Sequence, residues 1–140
     1  MKARILVAVS LLMSAACLSC FAGEAGLAEI KKGDHYKVQA GVVENASGRV
    51  LKLKVVVTDG WKLNEKAPFV LRLSAAGVSG LGKRKLGKKD AAKVGKHFIL
   101  FELPIGSAKS GKVGMKFDFV ICTDMLCQKK RFELDYDLAG

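Results

Sequence analysis

A chain of 140 residues with 24 lysines and arginines against 13 acids carries a formal charge of +11. That length admits one domain with a real hydrophobic core. After the first few turns of chain no apolar run is long enough to cross a bilayer as a helix, which argues against a helical membrane protein.

Residues 1–22 read as a secretory signal. Lys2 and Arg4 form the charged start, residues 5–13 the apolar stretch, and Cys20-Phe21-Ala22 a small-x-small cleavage site before Gly23. Export from the cytoplasm is therefore expected. Removing these 22 of 140 residues leaves 118, a single domain over 23–140. The charge falls from +11 to +9, because Lys2 and Arg4 depart and no acid does. Cys17 and Cys20 depart as well, so Cys122 and Cys127 are the cysteines of the mature chain. Lipoprotein processing at Cys17 or Cys20 stays open, although neither follows the usual leucine-led lipobox.

The middle of the chain reads as strands. Residues 36–43 and 49–58 form one strand-like pair around a turn at 45–48, and residues 69–75 and 98–103 follow with alternating or continuous apolar character. Residues 59–68 (DGWKLNEKAP) connect two strands, punctuated by Gly60 and Pro68. Trp61 in that connection is expected to plug one end of the core, given the area an indole buries. With a terminal hairpin this makes six or seven short strands and no convincing amphipathic helix beyond a short turn within 88–94. The expected fold is all-β, an immunoglobulin-like antiparallel β-sandwich.

Residues 80–97 concentrate Lys83, Arg84, Lys85, Lys88, Lys89, Lys93 and Lys96. Such a run suggests nucleic acid in a cytoplasmic protein. An exported chain rarely meets nucleic acid, and no aromatic residue is interleaved for base stacking. A solvated lysine-rich loop is expected, with attraction to an anionic membrane surface or an acidic partner as the alternative. His35 and His97 lie far apart in the sequence, each without a second ligand at metal spacing. No Ser-His-Asp set or glycine-rich phosphate loop can be assembled, and no cofactor or metal is expected.

The stretch 115–138 (MKFDFVICTDMLCQKKRFELDYDL) carries the candidate site. Its near-strict alternation marks two half-buried strands. Placing Cys122 opposite Cys127 leaves a four-residue loop, 123–126, a common hairpin length. The same register sets Phe117 against Phe132, Met115 against Leu134 and Val113 against Tyr136 on the inner side. It sets Asp118 against Arg131, Lys116 against Glu133 and Lys112 against Asp137 on the outer side. The match fails near the tip, where Phe119 meets Lys130 and Ile121 meets Gln128. By parity both cysteines face outward. Directly opposed residues lie about 4.5–5.5 Å apart at Cα, within disulfide range.

Gly60-Trp61-Lys62-Leu63-Asn64 with Pro68 and Phe69, residues 111–119, and Cys122-Thr123-Asp124-Met125-Leu126-Cys127 together resemble the amino-terminal periplasmic domain of DsbD and its stand-alone relatives. The resemblance runs from about Tyr36 to the end, and the strand ending in a cysteine with a second one just after it is its specific part. It implies a periplasmic domain whose Cys122 and Cys127 shuttle between dithiol and disulfide. Reducing equivalents would arrive from a membrane thiol electron carrier and pass to periplasmic thioredoxin-like proteins, such as disulfide isomerases or cytochrome c maturation factors. Cys127 matches the cysteine that forms the mixed disulfide. The chain departs from DsbD in a loop one residue shorter, in Gln128-Lys129-Lys130 where a proline-containing segment often follows, and in lacking the membrane and thioredoxin-like parts. A monomer is expected.

Thiol–disulfide exchange depends on thiolate fraction, access and leaving-group pKa. Lys129 and Lys130 flank Cys127 and would favour its thiolate, whereas Asp124 would oppose it. Two other readings of the pair stay open. It is a hairpin staple in an exported binding module, or with Met125 and Met115 it holds Cu(I), which favours thiolate and thioether.

Overall fold

The computed structural model describes residues 26–46, 48–76, 78, 81 and 84–139. The expected signal at 1–22, with Cys17 and Cys20, lies outside these residues, as does Lys83. Ten strands follow in order: β1 (Ala28–Gly33), β2 (Tyr36–Asn45), β3 (Gly48–Val57), β4 (Lys62–Leu63), β5 (Val70–Ala76), β6 (Lys85–Leu86), β7 (Lys93–Val94), β8 (Phe98–Gly106), β9 (Lys112–Cys122) and β10 (Cys127–Asp137). One sheet has the order β1-β2-β3-β8-β7 and the other β10-β9-β5-β6, with β4 paired to β9 beyond the end of β5. Every pairing is antiparallel.

Within these sheets β2-β3-β8-β7 and β5-β9-β10 reproduce the four-plus-three arrangement of a constant-type immunoglobulin domain. The fold is thus an immunoglobulin-like antiparallel β-sandwich, with β1 and β6 added at the edges and β4 in the connection that precedes β5. Among the described residues no helix is long and apolar enough to cross a membrane.

The alternation that defines the strands also fills the core. Leu51, Leu53 and Val55 of β3 and Val113, Met115, Phe117, Phe119 and Ile121 of β9 are all buried. The aromatic rings interlock across the two sheets. Phe117 stands edge-on to Phe101 at 5.7 Å and stacks on Phe119 at 5.0 Å. Tyr36 of β2 then meets Phe119 edge-on at 5.3 Å. Each such ring contributes about 1.5–3 kcal/mol by leaving water, and its edge-to-face neighbours add to that. A packed sandwich results, with β9 inside one sheet and the 123–126 turn of the β9–β10 hairpin at one end.

The hairpin has the expected register along its whole length, from Cys127 opposite Cys122 to Asp137 opposite Lys112. The mismatched pairs near the tip have a tertiary cause. Phe119 and Ile121 stay on the inner face and are buried in the core, Phe119 against Tyr36 and Phe117. Opposite them on the edge strand β10, Gln128 is exposed and Lys130 half-buried.

Two features depart from the sequence expectation. β1 has no alternation and is exposed over nearly all its length, yet it pairs with β2 through a tight turn at Asp34-His35. The basic stretch is not a plain loop. It forms β6, a 3-10 turn at Lys88–Asp90 and β7, and Leu86 is buried.

Candidate functional site

Cys122 ends β9 and Cys127 begins β10, and the two are joined by a disulfide with their Cα atoms 4.0 Å apart. Both lie on the outer face, as parity requires. Cys122 is half-buried, because β4 covers its other side, and Cys127 is exposed. The loop between them is braced by Thr123. Its N–H donates to the Leu126 carbonyl at 2.8 Å, and its Oγ1 accepts the N–H groups of Met125 and Leu126 at 3.2 Å each. The tip is consequently an ordered turn that holds Met125 out at 91% exposure and Leu126 at 50%.

The three expected modulators divide. Asp124 lines a groove beside Cys122 together with Lys62, Asn64, Lys66 and Lys96. Lys129 shares the outer face with Cys127. Lys130 has the opposite parity, sits across from Phe119 and is half-buried, so it does not share that face.

Lys62 is the residue that sequence reasoning missed. It is the direct partner of Cys122 across the β4–β9 pairing, on the side away from Cys127. Side chains of directly opposed residues project from the same face with Cβ atoms about 4.5–5.5 Å apart. Lys96 enters the same groove because its carbonyl accepts the Leu63 N–H at 2.7 Å. Lys88 is tied in from the basic stretch, its Nζ donating to the Glu65 carbonyl at 2.9 Å. Nothing local in the sequence signals these contacts.

The histidines, remote from each other in the chain, converge on Trp61. The His35 ring stacks on the buried indole at 4.8 Å. Its Nδ1 meets Asp59 Oδ2 at 3.3 Å, and His97 Nδ1 donates to the Trp61 carbonyl at 3.3 Å. Trp61 plugs this end of the core as expected, and the corner it forms holds β4 in place. Among the described residues no group of three His, Cys, Asp or Glu side chains is placed to hold a metal ion.

Charge on the outer face of this sheet is arranged in two zones. Away from the tip, Asp118 binds both Arg131 and Arg72, the latter at 2.9 Å, and Lys116 meets Glu133 at 2.8 Å. Its hydrogen bond from Arg131 holds the Asp118 carboxyl below the ordinary carboxylate range, with Arg72 adding to the effect. Lys116 lowers Glu133 in the same way. Near the disulfide, Lys62, Lys66, Lys96 and Lys129 form no ion pair with any described residue.

No family model matches the chain, and no curated protein matches it. Among solved structures it is similar to the GAE domain of GGA2p from Saccharomyces cerevisiae, with a TM-score of 0.41 and 9% identity over 79% of this chain and 97% of that one.

Proposed function

We propose that the chain is an exported thiol–disulfide exchange domain. It carries reducing equivalents from a membrane thiol electron carrier to periplasmic thioredoxin-like proteins through Cys122 and Cys127. The observation that carries this reading is where the disulfide lies. It joins two residues already held opposite one another by the ten other pairs of the β9–β10 ladder. Closing so short a loop restrains the unfolded chain by only about 2 kcal/mol in the chain-entropy model. A bridge between the two sheets would close a far longer loop. A bond placed at the outer tip, with one sulfur exposed, suits exchange better than stapling. The resemblance of 60–64 with Pro68 and Phe69, of 111–119 and of 122–127 to the DsbD amino-terminal domain supports the same reading.

The chemistry follows from the unequal exposure of the two cysteines. A carrier thiolate attacks the exposed Cys127 Sγ in line with the disulfide. A mixed disulfide forms, the Cys122–Cys127 bond breaks, and Cys122 leaves as a thiolate beside Lys62. The second carrier thiolate then attacks the carrier sulfur of the mixed disulfide and expels Cys127 as a thiolate. The carrier is left oxidised, and the domain has gained two electrons and, on protonation, two protons. In the forward half, the Cys127 thiolate attacks the disulfide of a thioredoxin-like partner. That attack frees one partner sulfur as a thiolate; Cys122 then attacks Cys127 Sγ, expels the partner sulfur still bonded there as a second thiolate and restores the original bond.

Two measurements test this. The reduction potential of the pair is expected well above the roughly −300 mV below which structural disulfides typically lie. Cys122→Ser, which leaves Cys127 free, is expected to accumulate a mixed disulfide with a periplasmic thioredoxin-like protein, and Cys127→Ser to accumulate much less. A potential below that value, with neither variant trapping a partner, would leave a staple in an exported binding module.

A further inference from the structure

The tip of the hairpin combines features that point to a particular kind of partner surface. Met125 and Leu126, exposed at 91% and 50%, stand on a turn already braced by Thr123, so little loop entropy remains to be lost on docking. The charges farther along the sheet neutralise one another, as described for Asp118 and Glu133. The lysines beside the disulfide do not. Lys62, Lys66 and Lys96 line the groove along Cys122, and Lys129 lies on the same face past Cys127. Lysines without ion pairs, in excess over Asp124 and Glu65 in the same groove, next to an apolar tip are complementary to an apolar seat with a predominantly acidic rim.

We propose that this end of the molecule is a docking surface for a thiol protein that carries such a seat beside its reactive sulfur, with acidic side chains facing Lys62, Lys66 and Lys96. The proposal rests on the exchange reading above and adds the chemistry by which the partner is selected. An anionic membrane is the weaker match. Among the described residues Met125 and Leu126 are the exposed large apolar side chains at this tip, and Asp124 and Glu65 stand at the same edge, where lipid phosphates would repel them. A protein rim meets charges of both signs.

The test uses three synthetic peptides of equal length, each with one cysteine flanked by leucines, whose remaining residues are glutamate, serine or lysine. The rate at which each opens the Cys122–Cys127 disulfide is divided by its rate with an uncharged disulfide, 2-hydroxyethyl disulfide, which removes differences in intrinsic thiol reactivity without adding a charge of its own. At low ionic strength the acidic peptide is expected to react about tenfold faster than the basic one on this scale, and the gap is expected to close near 0.5 M salt, where the screening length is only about 4 Å. Lys66→Glu with Lys96→Glu should reverse the order. Met125→Ser with Leu126→Ser should slow all three peptides together.

Equal normalised rates for the three peptides at low salt would overturn the proposal while leaving exchange intact. If no peptide opens the bond, the exchange reading fails. Docking is then judged by binding of the serine-for-cysteine peptides to the oxidised protein, where preference for the acidic peptide supports it and equal binding overturns it. Binding to phosphatidylglycerol vesicles that the Lys66→Glu, Lys96→Glu variant abolishes, without discrimination among peptides, reassigns the surface to lipid and also overturns it.

Discussion

Lys62 and Cys122 are direct partners across the β4–β9 pairing, although 59 residues separate the cysteine from the lysine along the chain. This sets Lys62 next to Cys122, whose sulfur would be the leaving group in the proposed exchange. Lys62→Met keeps the length and removes the charge. The Cys122 thiol pKa in the reduced protein is expected to rise by about half a unit to one unit. Disulfide opening by a small neutral thiol should slow about threefold as the leaving group becomes poorer. Thiolate absorbance against pH measures the first, and stopped-flow kinetics the second.

Removing the disulfide should leave the fold standing. The hairpin register is held by apolar pairs such as Phe117 with Phe132 and by the charge pairs outside them. Cys122→Ser with Cys127→Ser is expected to cost about 2 kcal/mol or less in urea unfolding. A much larger loss would mean that the bond is mainly structural.

Beside the share of Glu133, part of the acid sensitivity should trace to Asp118. Its folded-state pKa lies below the ordinary value of 3.8, with the hydrogen bond from Arg131 as the largest cause. A depressed carboxylate stabilises the native state fully above that ordinary value, and the contribution is lost as pH falls through the lowered one. Asp118→Asn should therefore lower the melting temperature slightly at neutral pH and flatten its decline below about pH 4. Melting curves of both proteins between neutral pH and pH 2 give the comparison.

Gly41 is a site of close backbone approach. A Cβ added there would lie 1.6 Å from the Gly26 carbonyl oxygen, so the segment that crosses β2 would have to move. Gly41→Ala is expected to destabilise the protein by about 1–3 kcal/mol. A larger increase in amide exchange over the unaltered protein in β1 than in β9 would locate the damage.

The two halves of the candidate site differ in how they are encoded. The cysteine pair was legible because an antiparallel hairpin is a local object. Its period-two alternation marks the faces, and opposite charges at Asp118 and Arg131, or at Lys116 and Glu133, select one register in which the cysteines oppose one another and point outward. The same rule located most of the long strands and the sandwich they make. β1 escaped because its residues AEIKKG carry no alternation, being exposed on an edge that only β2 supports.

Position along the chain determined, without help from the fold, which residues form the finger, how its strands align and that its cysteines lie on the outer face. Only the packing of one sheet edge against a distant connection decided that Lys62 and Lys96 stand beside Cys122, and that both histidines meet at Trp61. Such contacts arise from strand order and from the path of a connection across the end of the sandwich. Neither leaves a periodic trace in the residues it brings together, whereas side chains two apart on one strand must share a face wherever that strand lies.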